Sequence, residues 1–190
     1  MGRPAGHAGM TAERGLVLRG NTWKFGTNVD TDQIIPARYA IYSLDEKVLG
    51  EHAMEDVPDN AGWSKKVTAG DIMVAGSNFG CGSSREIAPV AIRAAGISCV
   101  IADSFARIFF RNAINIGYPI LQSPEAAEAI RQSDQLEVDL EEGVIKNLTQ
   151  GDEYRAEAFP EFMTELIHMG GLAPWVRKRL AEKRAAGQLV

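Results

Sequence analysis

The chain is 190 residues long, 45% hydrophobic and 24% charged, with a formal net charge of -5. That length holds one domain with a sizeable core, and the composition excludes a disordered or fibrous chain. The acidic balance opposes sequence-independent nucleic-acid binding, which needs a basic surface. No apolar run approaches the roughly 18 residues that span a bilayer, so no membrane role is expected.

Residues 1–12 lack the apolar segment of a secretory signal and read as a flexible tail, with residues 13–190 as a single domain. Cys81 and Cys99 make no framework of bridges and no pair at metal-ligand spacing, which fits the reducing cytoplasm. His7, His52 and His168 have no ligand spacing either. Leu16 to Phe25 reads as two short strands around a turn at Arg19 to Asn21, because apolar and aromatic residues flank Gly20. Asp30 and Asp32 could pair as acid and base, but Asn28 to Asp32 is rich in residues that bond their own backbone in turns, which favours a structural role. Ser43 followed by Glu46 is a capping-box pattern that opens a short helix toward Met54. A turn around Pro58 closes it, and Asp71 to Ala75 follows as a buried strand.

Gly76 to Glu86 reads Gly-Ser-Asn-Phe-Gly-Cys-Gly-Ser-Ser-Arg-Glu. Its glycines permit sharp bends and close approach to a ligand. The apolar spacing of Ile87, Val90, Ala91, Ala94 and Ala95 predicts a helix that starts near Arg85 or Glu86, holds Pro89 in its first turn and ends at Gly96. Ser83, Ser84 and Arg85 would then stand at its amino end, beside unpaired N–H groups that favour carboxylates and phosphates. Ile97 to Ala102 is a second strand, Ser104 to Ile116 a helix stopped by Gly117, and Tyr118 to Leu121 a third strand. Successive strand-helix-strand units imply parallel pairing. Ser123 and Pro124 open another helix. The segments 136–140, 144–148 and 154–158 alternate as antiparallel strands, and 160–168 and 174–184 close the chain as helices. Arg177, Lys178, Arg179, Lys183 and Arg184 form a solvated face, with Leu180 turned inward.

Three ordered segments carry a resemblance. Gly80 to Glu86 resembles the swivelling-domain signature of the aconitase superfamily, Asn28 to Tyr39 contains the Asp-Thr-Asp-x-Ile-x-Pro of isopropylmalate isomerase small subunits, and Asp103 to Asn112 contains their Ser-Phe-Ala-Arg-Ile-Phe. The resemblance implies an α/β fold, a three-layer β/β/α swivelling domain with a parallel strand-helix-strand core and antiparallel additions. It implies a hydro-lyase that moves a hydroxyl between adjacent carbons of a small dicarboxylic hydroxy acid, isomerising 2- and 3-isopropylmalate in leucine biosynthesis. A four-iron four-sulfur cluster is expected on a large partner subunit, with no cofactor bound by this chain. Related substrates stay open: dimethylmalate, citramalate or a methylmaleate-type acid, and homoaconitate. A rival from another class is a non-catalytic anion-binding module, weakened by the lack of a Gly-x-x-x-x-Gly-Lys-Ser/Thr loop.

Spacing alone makes Ser83 and Glu86 a capping box. The resemblance instead assigns Ser83 to proton abstraction as an alkoxide, which needs neighbouring donors because a serine hydroxyl is a poor base in water. Arg85 is expected to stabilise that anion and to grip a carboxylate at two points, with Ser84 adding a hydrogen bond. Tyr39, Ile41 and Tyr42 correspond to the substrate-recognition loop. Members acting on homoaconitate-like acids carry arginine at the position of Ile41, so an apolar residue there points to a branched alkyl malate. Arg107 either touches substrate or buttresses the loop. Cys81, alone in sequence, reads as a small packing residue.

Overall fold

The computed structural model describes residues 16–40, 45–57, 62–157 and 161–186. The expected N-terminal tail, the Ser43 cap and the turn around Pro58 lie outside them.

Strand β1 (Val17–Lys24) runs unbroken, where a turn was expected. Gly20 serves a close approach instead: a Cβ there would lie 2.2 Å from the Gly70 carbonyl oxygen. Glycine inside a strand marks backbone crowding as readily as a bend. β1 pairs in parallel with β2 (Ile72–Ala75), which continues in parallel to β3 (Cys99–Ala102) and β4 (Ile120–Gln122). On its other side β1 pairs antiparallel with β5 (Gln135–Asp139), followed by β6 (Val144–Asn147) and β7 (Asp152–Arg155). The order among the described residues is β4-β3-β2-β1-β5-β6-β7.

Because side chains alternate along a strand, the parallel half buries two different sets. Met73, Ala75, Val100, Ala102 and Ile120 face a core shared with helices. Ile72, Val74, Cys99, Ile101 and Leu121 face the opposite way, where Leu136, Val138 and Ile145 of the antiparallel half cover them. The result is the expected sequence of layers: helices, parallel strands, antiparallel strands.

The helices are α1 (Thr31–Ile34), α2 (Ala37–Ala40), α3 (Glu46–Glu51), α4 (Trp63–Lys66), α5 (Ala88–Ala94), α6 (Arg107–Asn115), α7 (Pro124–Ala129), α8 (Glu161–Met169) and α9 (Leu172–Ala185). Asp45 caps α3 through the Lys47 N–H, and Ser123 caps α7 ahead of Pro124. α3 lies so close to α5 that a Cβ on Gly50 would meet the Ala94 carbonyl carbon at 2.6 Å. Phe79 and Phe109 are wholly buried in the helical core, each contributing about 1.5 to 3 kcal/mol. Leu180 does not turn inward. α9 meets α8 through Trp175 and Arg179, whose nitrogens lie 2.7 and 3.4 Å from Glu165 Oε2, and this leaves Leu172, Val176 and Leu180 in an exposed row.

Candidate active site

After β2 the chain enters the glycine-rich loop, which is held from two sides. On one side Gly80 N–H donates to the Val29 carbonyl at 2.8 Å and Thr31 N–H to the Cys81 carbonyl at 2.8 Å, so that Asp30 and Cys81 form a parallel bridge. The Asn78 amide donates to Asn28 Oδ1 at 2.9 Å. On the other side Phe79 bridges to Phe105 and donates to the Ser104 carbonyl at 2.9 Å. Its ring meets those of Phe105 and Phe109 edge-on at 6.1 and 5.1 Å. Gly80 has φ 77°, and a Cβ there would sit 2.3 Å from Phe109. Only glycine fits that conformation against that ring. The three motifs distant in sequence thus converge on one loop.

Asp30 and Asp32 do different things. Asp30 caps α1, its Oδ1 accepting from Gln33 N–H at 2.8 Å while Gln33 Oε1 accepts from Asp30 N–H at 2.9 Å. This reciprocal box explains the helix, which the pattern of turn residues did not predict. Asp32 projects from α1 and takes Arg85 Nη2 at 2.5 Å. The Arg85 Nη1 donates to the carbonyls of Thr31 and Ile35 at 3.2 and 2.7 Å. Three of the five guanidinium donors are thus engaged, and two have no partner among the described residues. The Arg85 side chain is only 15% exposed.

Ser83 is exposed on the same rim. Its Oγ lies 3.2 Å from Thr31 Oγ1, and the Thr31 hydroxyl also reaches the Ser83 carbonyl at 3.0 Å. Ser84 is exposed and its hydroxyl has no protein partner among the described residues. Arg107 opens α6 two residues after Phe105 and, like Arg111, is exposed without an acidic partner among the described residues. Tyr39 stacks on His52 with ring centroids 3.8 Å apart, and its hydroxyl donates to Glu55 Oε1 at 3.3 Å. Ile41 and Tyr42 lie outside the described residues.

Two expectations change. The helix α5 begins at Ala88 after an Ile87 cap that makes no side-chain bond, with Pro89 in its first turn. Ser83 and Glu86 therefore form no capping box, and residues 83–85 are not a helix terminus. The bonds from Thr31 and Arg85 hold this stretch against α1 instead. Thr31, which sequence reasoning passed over, also links the two motifs, through its backbone N–H to Cys81 and its hydroxyl to Ser83; its place inside the Asp-Thr-Asp segment was the available signal.

The thiols do not fit an iron-sulfur cluster, which needs several thiolates. Cys99 is sealed in β3, where burial pushes its thiol up to about 12, and Cys81 is half-buried in the loop.

Residues 37–125 match the aconitase C-terminal domain family. The chain is 55% identical over 168 residues to the 3-isopropylmalate dehydratase small subunit of Aquifex aeolicus, a span of 88% of this chain and 99% of that protein. It is 52% identical over 169 residues to the isopropylmalate/citramalate isomerase small subunit of Methanocaldococcus jannaschii, covering 88% and 98%. It is 55% identical over 161 residues to the 2,3-dimethylmalate dehydratase small subunit of Eubacterium barkeri, covering 85% and 97%. A crystal structure of 3-isopropylmalate dehydratase from Methanocaldococcus jannaschii superposes with a TM-score of 0.82 at 39% identity, over 90% of this chain and 99% of that one. Sharing more than half of its aligned residues with such proteins over nearly their whole length, the chain belongs to the 3-isopropylmalate dehydratase small-subunit family of hydro-lyases.

Proposed function

We propose that this chain supplies the proton-abstracting half of a site completed by a large subunit, and that the pair interconverts 2- and 3-isopropylmalate by losing and re-adding water. The observation that carries the reading is the placement of Ser83, an exposed hydroxyl on a loop pinned from both sides, with the Thr31 hydroxyl and the Arg85 guanidinium anchored to the same helix α1. A fixed donor beside a serine, here the Thr31 hydroxyl at 3.2 Å, with a guanidinium held on the same rim, favours its alkoxide.

As an alkoxide, Ser83 takes the proton from the carbon adjacent to the hydroxyl-bearing carbon. The C–H electron pair becomes the second bond of a carbon–carbon double bond, and the hydroxyl departs with its own pair. Ser83 Oγ then holds the proton, which returns to carbon in the reverse addition. The two uncommitted donors of Arg85, with the free Ser84 hydroxyl, hold a substrate carboxylate. A four-iron four-sulfur cluster on the large subunit would supply the Lewis acid for the departing hydroxyl.

The relatives' names, isopropylmalate, citramalate and dimethylmalate, share an alkyl-substituted malate. An apolar Ile41 supports that class, because an unpaired carboxylate set against isoleucine costs several kcal/mol. Isopropylmalate is the preferred member in this reading, and leucine biosynthesis in the cytoplasm its setting. The test is co-production with the large chain and a panel of isopropylmalate, 2,3-dimethylmalate and homoaconitate. Turnover of isopropylmalate only when both chains are present is expected. Turnover by this chain alone, or preference for homoaconitate, contradicts the reading.

A further inference from the structure

We propose that Thr31 is a positioning residue that switches Ser83 between a neutral and a charged hydroxyl by turning a single proton. The inference rests on Ser83 being the base. Thr31 is 1% exposed, and its Oγ1 stands within reach of two oxygens of one residue, the Ser83 carbonyl at 3.0 Å and the Ser83 Oγ at 3.2 Å. A hydroxyl has one proton to give and can accept at the same time. Two arrangements follow. With the Thr31 O–H aimed at the carbonyl, the Thr31 oxygen accepts from Ser83 Oγ–H, and serine stays neutral. With the O–H turned onto Oγ, Thr31 stabilises the Ser83 alkoxide, whose own proton has passed to solvent from its exposed side. Rotation about one C–O bond connects the two.

The surroundings hold Thr31 still while its proton moves. Its backbone N–H is fixed on Cys81 at 2.8 Å, its backbone carbonyl on Arg85 at 3.2 Å, and its β-branched side chain restricts χ1. Gly82 faces it with φ 93°, where a Cβ would lie 3.3 Å from Thr31 Oγ1; a bare glycine leaves the hydroxyl room to turn. Thr31 is buried on its side of the bond while Ser83 stays open to solvent, and a hydrogen bond to a charged group is stronger than one between neutral groups.

The test uses the assembled two-chain enzyme with Thr31→Val, Thr31→Ser, Ser83→Ala, and valine and alanine together. Thr31→Val is expected to lower kcat roughly 10- to 100-fold with KM held within a few-fold. Thr31→Ser, which keeps the hydroxyl, is expected to recover most of kcat. In the Ser83→Ala background the valine should cause no further loss. Should the valine variant not assemble, Thr31→Cys, with a weak S–H donor, is expected to lower kcat roughly tenfold, and an unchanged kcat there overturns the proposal. A normal kcat in Thr31→Val while Ser83→Ala is inactive overturns the role of Thr31 and leaves Ser83 as base. A full additional loss from valine in the Ser83→Ala background makes Thr31 merely structural. Near-normal kcat in Ser83→Ala removes the base itself, and the inference with it.

Discussion

Arg85 Nη2 stands 2.5 Å from Asp32 Oδ1 across 53 residues of sequence. The same guanidinium binds the Thr31 and Ile35 carbonyls, so one side chain fastens helix α1, and the start of the segment leading to Tyr39, onto the glycine-rich loop. Its geometry serves the loop before any ligand arrives.

Replacing Arg85 with lysine should therefore damage both structure and activity. An ammonium is a point charge and cannot span three acceptors arranged around a planar fork. We expect Arg85→Lys to lower the melting temperature and to reduce kcat/KM about 100-fold, roughly 2.7 kcal/mol. Asp32→Asn should do less, because Asp32 is 62% exposed and exposed pairs contribute little. Steady-state kinetics on the assembled enzyme and thermal melts check the order. Equal losses in the two variants would contradict it.

The loop also depends on Gly80. A methyl group there meets Phe109 at 2.3 Å in a left-handed backbone, so Gly80→Ala should cost on the order of 3 kcal/mol. Gly26→Ala, where a Cβ meets nothing within 4 Å, should stay within about 0.5 kcal/mol. Chemical denaturation of this chain measures both.

Asp134 provides a pH signature remote from the site. Burial works to raise its pKa, but the Arg131 N–H and the side-chain amides of Asn147 and Gln150 outweigh it and hold the carboxyl below its ordinary value. A carboxyl depressed in the folded state stabilises the fold above the unfolded pKa of about 3.9. That contribution is lost as pH falls through the lower folded value. The melting-temperature gap between wild type and Asp134→Asn should be widest near neutrality and shrink below about pH 4. A gap independent of pH would contradict the assignment.

Thiol labelling separates the two cysteines. Cys99 is fully buried with its thiol pushed up to about 12, and the thiolate is the reactive form. The folded chain at about pH 8 should modify at Cys81 alone, with Cys99 reacting only on unfolding. Rapid reaction of both would place Cys99 elsewhere than in the sealed sheet.

Much of this architecture is legible in the sequence, because the strands from Ile72 to Leu121 are short apolar runs separated by helical spacing, and helical crossovers long enough to return the chain to the same end of the sheet leave parallel pairing as the outcome. What escaped depended on contacts between distant segments. Gly20 reads as a turn until Gly70 is known to lie against it. The start of α5 looks earlier because local spacing cannot show Arg85 bonded to α1. Leu180 looks like a core residue because a periodic pattern does not reveal which face of α9 the Glu165 bonds select. Ser83 and Arg85 were visible as motif members; Thr31 acquires its meaning only from the 3.0 and 3.2 Å contacts that the fold creates.

The most direct test of the proposed chemistry is kcat for isopropylmalate in the assembled enzyme carrying Ser83→Ala. Ser83 is exposed, and its hydroxyl meets only that of Thr31 among the described residues, so its removal should leave assembly and melting temperature close to those of the wild type. With the base removed, kcat should fall at least about a thousandfold, roughly 4 kcal/mol of barrier, with KM changed only a few-fold. A kcat near the wild-type value in a fully assembled Ser83→Ala enzyme would show that another group takes the proton.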